Sequence, residues 1–144
     1  METDRFNLNR FVAAQELDYE SVLHELRSGR KRGHWIWYIF PQIQGLGQST
    51  MSREYAISSL NEARAYLQHP ILGLRLRECT ELVVALNGRS IEQIFPHPDD
   101  FKFRSCMTLF AEASTDPSIF RKALHNYFRG EPDALSLDIL SKPA

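Results

Sequence analysis

Four kinds of chemistry gather in one short stretch of this chain. Between His34 and Tyr55 come Trp35, Trp37, Tyr38 and Phe40, then Gln42, Gly45 and Gly47, then Ser49, Thr50, Ser52 and Glu54. Aromatic faces stack on flat rings. Glycine lets a backbone approach a ligand closely. A helix starting near Ser52 would offer free N–H groups to an anion. Glu54 and His34 are titratable, as general acid–base work requires. Lys102, outside the stretch, could reach an anion in the same cleft. The combination suits a nucleotide, ribosyl or phosphate compound, bound or hydrolysed. We therefore expect a pocket around residues 34–55, with Glu54 and His34 as catalytic groups. Trp37, Gln42, Gly45, Gly47, Ser52 and Lys102 would be the ligand contacts.

The same residues fit a second reading, a non-catalytic protein-interaction module. In it the aromatic block is core or a docking surface, and Glu54 is a first-turn carboxylate facing the helix dipole. Gly45-x-Gly47 lacks the rest of a dinucleotide fingerprint. Geometry separates the two. The ligand reading needs Glu54 and His34 lining one cleft with Gln42 and Lys102. The module reading encloses Trp35 and Trp37 and leaves Glu54 in open solvent.

The five histidines are scattered, and Cys79 and Cys106 form no metal-ligand spacing. No metal or cofactor is expected. Both cysteines fall within apolar helical patterns, which reads as two buried free thiols. The basic run Arg27, Arg30, Lys31 and Arg32 sits at a helix end, where cations stabilise the C-terminus without a partner.

Apolar spacing supplies the elements that must hold these residues. Leu8, Phe11, Val12 and Gln15 suggest a short first helix; Tyr19, Val22, Leu23 and Leu26 a second, ending at Gly29. Trp35 to Phe40 is too short for periodicity to decide, and with helices around it reads as a short buried helix. Further helices are expected near Ser52–Gln68, Pro70–Leu86, Phe101–Ala113 and Pro117–Arg129. Their stripes predict burial of Leu60, Ala63, Leu67, Leu76, Val83, Phe103, Phe110, Leu124 and Phe128. Ser90 and Gln93 have capping-box spacing. Asp133 can cap a last helix, and Asp99 the one that follows it. The sum is an all-α fold, a single domain over residues 1–144 with about six or seven helices.

At 144 residues and 43% hydrophobic, the chain can bury a core without disulfides or metals. Its net charge of −1 gives no general attraction to nucleic acid, which is not expected as a partner. Met1 to Arg10 lacks the apolar centre of a signal peptide, and no apolar run reaches membrane-spanning length. A cytoplasmic protein is the expectation; the sequence leaves oligomeric state open.

Gly33-His34-Trp35-Ile36-Trp37-Tyr38-Ile39-Phe40-Pro41-Gln42, Gly45-Leu46-Gly47 and Ser52-Arg53-Glu54-Tyr55-Ala56-Ile57 carry a resemblance. It continues through Glu62 to Pro70, Pro98 to Phe110 and Phe128 to Asp133. These segments resemble a bacterial domain-of-unknown-function family whose members are often labelled calpastatin. The resemblance covers nearly the whole chain. It implies a mainly α-helical, single-domain fold and no stated activity. Ser52-Arg53-Glu54-Tyr55 is also similar to the Ser-x-Glu-His/Tyr segment of the NADAR family, whose members act on N-glycosidic bonds of ribosyl compounds. That shorter likeness implies a ribosyl ligand, although most of the chain departs from the NADAR pattern.

Overall fold

Helix-favouring spacing and well-placed stops govern the architecture of residues 4–142, which the structure, a computed structural model, describes. In chain order the helices are α1 Asn9–Ser28, α2 Ile36–Ile39, α3 Thr50–Glu54, α4 Leu60–Gln68, α5 Leu72–Val84, α6 Ile91–Ile94, α7 Asp99–Ala113, α8 Ser118–Phe128 and α9 Ala134–Ser141. No strand pairs beyond one isolated bridge among the described residues, between Ile43 and Ile57. The fold is all-α. Three of the nine helices, α2, α3 and α6, have only four or five residues. The six longer ones lie within the six or seven expected.

Local signals act largely as read. Gly29 ends α1 in the left-handed conformation at φ 83°, its N–H bonded to the Leu26 carbonyl. Ser90 and Gln93 exchange the two bonds of a capping box at α6. The Asp133 carboxylate accepts the Ser136 N–H and caps α9. Trp35 to Phe40 does form a buried helical turn, α2.

Three expectations need correction. The two N-terminal helices are one, because no proline or glycine interrupts the run and Phe11, Gln15, Val22, Leu23 and Leu26 all bury on one side of α1. The helix expected over Ser52–Gln68 is broken into α3 and α4. Between them the chain is extended, with Ile57 donating its N–H to the Gln42 carbonyl and accepting from the Gln44 N–H, both at 2.8 Å. Ser59 then caps α4 afresh, accepting the Glu62 N–H. Asp99 does not cap α7; Pro98 holds that position and the Asp99 carboxylate is ion-paired.

The centre of the molecule is α7, which packs against α4, α6, α8 and α9. Phe103, Cys106, Met107, Leu109 and Phe110 are all fully buried on it. Phe40, Phe95 and Phe103 meet with ring centroids 4.8–5.7 Å apart, which ties the α2 end, the α6 end and α7 into one aromatic knot. Of the nine positions expected to bury, Ala63, Leu76, Val83, Phe103, Phe110 and Leu124 are buried. Leu60, Leu67 and Phe128 are partly covered and pack against the core.

Candidate functional site

The loop after α1 brings the first charge to the site. Lys31, read from sequence as one of a basic run stabilising a helix end, is 8% exposed and paired. Its N–H bonds the Ile94 carbonyl at 2.8 Å, its Nζ lies 2.7 Å from Asp99 Oδ2, and its ammonium stands 5.3 Å from the Trp35 ring centroid. Burial of a lysine demands such a partner.

Asp99 opens α7, and its other oxygen receives Lys102 Nζ at 3.3 Å. Two ammoniums therefore share one carboxylate. Lys102 in turn lies 5.1 Å over the Trp37 ring. Trp37 is half-buried, and its indole N–H is shut away without a hydrogen-bond partner among the described residues. Gln42 joins the same surface: its Nε2 donates to Ser105 Oγ at 2.7 Å, and that hydroxyl donates to the Phe101 and Lys102 carbonyls. Trp37, Gln42 and Lys102 thus converge where α2 and the following loop meet the start of α7.

The other expected site residues go elsewhere. Glu54 is the last residue of α3, not the first turn of a long helix. It is exposed, and among the described residues its carboxylate makes no hydrogen bond or ion pair; its carbonyl accepts from Arg10 Nε at 2.9 Å. His34 is exposed at the bend before α2. Ser52 donates its N–H to the Ser49 hydroxyl that caps α3. Gly47 serves that closure, since a Cβ there would stand 2.5 Å from Ser52 Cβ. Gly45, at φ 106°, has the Ile139 side chain over it. Five surface hollows of 190 to 540 Å³ include none of the eight expected residues in their walls. The expected single pocket is therefore divided: Trp37, Gln42 and Lys102 share one patch, Gly45, Gly47, Ser52 and Glu54 belong to the α3 loop, and His34 stands apart from both.

Trp35, beside Trp37 in sequence, is 1% exposed and structural. Its Nε1 donates to Glu25 Oε1, which also accepts the N–H groups of Arg32 and Gly33. Burial pushes the Glu25 carboxyl upward, but these donors and the Lys31 charge outweigh it and hold the group below its ordinary value. Gly33 is required there, because a Cβ would come within 2.9 Å of the indole.

Sequence reasoning passed over one further pair. His97 Nδ1 lies 2.9 Å from Asp100 Oδ1, with the histidine side chain 61% exposed and the aspartate side chain 7%. Phe101 meets the imidazole edge-on at 4.6 Å. The only signal was the run His97-Pro98-Asp99-Asp100 ahead of a helix.

A family model described as "Protein of unknown function (DUF1810)" matches residues 5–140. The crystal structure of the conserved hypothetical protein Rv1873 from Mycobacterium tuberculosis is similar at 53% sequence identity. The match covers 97% of this chain and 100% of that one, with a TM-score of 0.96. Neither finding carries the calpastatin label or a likeness to NADAR. No curated protein matches the chain.

Proposed function

Since the chain belongs to the DUF1810 family, whose description assigns no activity, we propose a function from the site alone: binding of a small anionic compound with a flat ring, of the nucleotide or ribosyl-phosphate class. The observation that carries this reading is the pair of ammoniums on the single Asp99 carboxylate, beside a half-buried indole. Lys31 is the closer partner and nearly enclosed, so Lys102 is the cation available to a ligand. The half-buried Trp37 ring under the Lys102 ammonium supports it, because its face can stack on a flat ring. In this reading Gln42 and Lys102 fix the polar end of the ligand and Trp37 its flat end. Glu54 and His34, both in solvent, have no part in it.

The test is a thermal-shift titration with AMP, NAD, ADP-ribose, ribose 5-phosphate and inorganic phosphate. A ligand at a hundred times its Kd stabilises by about 2.7 kcal/mol. For a chain of this size that is a rise in Tm of about 5–10 °C. We expect at least one ring-bearing compound to give it, and Lys102→Gln and Trp37→Phe each to remove most of it. A rise that survives in both variants places the ligand elsewhere. No rise with any compound at millimolar concentration rejects the reading.

A second reading, the non-catalytic interaction module, is favoured by the exposure of Glu54 and the full enclosure of Trp35. It is the reading left standing by a silent titration. Among the described residues no helix is long and apolar enough to cross a membrane. A cytoplasmic location belongs to this proposal and is supported by the two free thiols, Cys79 and Cys106.

A further inference from the structure

The roomiest of the five surface hollows, about 540 Å³, lies where the turn before α1 meets the end of α4. Its size falls within the roughly 300–1,000 Å³ of small-molecule sites. The chain itself holds the walls in place. The Asp4 carboxylate accepts the Leu8 and Asn9 N–H groups at 2.7 and 2.9 Å, and the Asn7 N–H bonds the Asp4 carbonyl. Asn7 turns the chain in the left-handed region at φ 53°, which asparagine tolerates well. Arg10 Nη1 donates to the Phe6 and Asn7 carbonyls. On the α4 side, His69 Nδ1 accepts the Ile71 and Leu72 N–H groups at 3.1 and 3.3 Å.

These bonds occupy N–H groups at the starts of both α1 and α5, so side chains are what the hollow offers a ligand. An imidazole that accepts at Nδ1 is neutral and carries its proton on Nε2. Arg5, Asn9 and Gln68 complete the polar wall, and among the described residues none of their side chains makes a hydrogen bond or ion pair. The Arg5 guanidinium stands 5.1 Å from the Phe6 ring centroid, and that ring is an apolar part of the same hollow. Asp4 is the sole carboxylate in the wall, and both its oxygens are committed to α1.

A single guanidinium, with no second cation in the wall, matches a single negative charge. Its planar fork suits a carboxylate. A phosphate dianion would bring a second charge up against Asp4. We infer that this hollow binds a small monocarboxylic acid with an apolar body, at a site separate from the Trp37–Lys102 patch. Arg5 pairs with the carboxylate. The His69 Nε2–H and the amides of Asn9 and Gln68 hydrogen-bond to polar groups along the body, and Phe6 packs against its apolar part.

The probe is hippurate, whose carboxylate, amide and phenyl ring match the guanidinium, the side-chain amides and Phe6 in turn. It is titrated into the full chain while side-chain amide and imidazole resonances are followed by NMR. Saturable shifts are expected at Asn9, Gln68 and His69. Methyl hippurate, the same molecule without its charge, should give none, and neither should inorganic phosphate. Arg5→Gln should weaken binding by at least about tenfold, the loss of a hydrogen bond to a charged group. Arg5 is exposed, so the variant keeps the fold, which its backbone amide spectrum checks. Lys122→Gln, which removes an exposed cation on α8, should leave the affinity unchanged. Absence of saturable shifts at the three residues overturns the proposal, as do equal shifts with methyl hippurate or equal affinity in Arg5→Gln. Shifts confined to Trp37 and Lys102 overturn it too and place the acid on the other patch. Phosphate binding at the same three residues overturns the choice of a carboxylate.

Discussion

At the scale of single residues, two carboxylates show how far surroundings decide a role. Glu54 stands in solvent, whereas Glu25 receives three donors on one oxygen. Its carboxyl lies below the ordinary value of 4.5 in the folded chain. A depressed value means stability that is present above pH 4.5 and lost as pH falls through the folded value. Glu25→Gln should therefore cost about 1–3 kcal/mol at pH 7, the worth of hydrogen bonds to a charged group. The difference from wild type should shrink to little in strong acid. Urea unfolding midpoints at a series of pH values measure it, and a pH-independent gap would show that shape rather than charge holds the loop.

Between elements, the deciding contact is Arg10 with the segment that splits α3 from α4. Its guanidinium donates to the carbonyls of Glu54 and Ala56 and to Glu62 Oε2, all within 2.9 Å. Glu62 is 2% exposed and also accepts from Ser58. Arg10→Ala would leave that carboxylate buried and uncompensated. The loss should be about 3 kcal/mol, the low end for such pairs because Arg10 is itself 17% exposed. The amides of Gln44 and Ile57 should exchange with deuterium faster than those of α7; unchanged exchange at both would show that the Ile43–Ile57 clasp holds without Arg10. This contact also explains what the sequence hid. Caps, glycine stops and stripes are local, so α5 to α9 were legible within a few residues. Ala56, Leu60, Ala63 and Leu67 keep helical spacing, which masks the one local mark of the break, Ser59 three residues before Glu62, and Arg10 holds the split segment from 44 or more residues away. Likewise the residue types of Trp37, Gln42 and Lys102 are readable one by one, but their meeting, and the reach of Lys31 to Asp99, come only from the fold. His97 and Asp100 sat in what reads as a proline turn.

At the scale of the molecule, the nine helices of the described residues share one core, and that core holds both cysteines. Burial pushes the Cys79 thiol up to about 12 and Cys106 well above its ordinary value, so neither is a thiolate at pH 8. A disulfide reagent at that pH should react with both slowly in the native protein, at rates set by opening, and at once in concentrated guanidinium. Rapid native reaction at either thiol would contradict a closed core. The reach of Arg10 has another consequence, for a chain still being made. Helix α1 leaves the ribosome before its partners, since the oxygens that its arginine must find lie 44 to 52 residues later. At typical synthesis rates that is a wait of about 3–10 s, with Phe11, Val22 and Leu26 uncovered throughout. Nascent α1 is thus a segment on which a chaperone can act, until Glu62 emerges and gives Arg10 its partner.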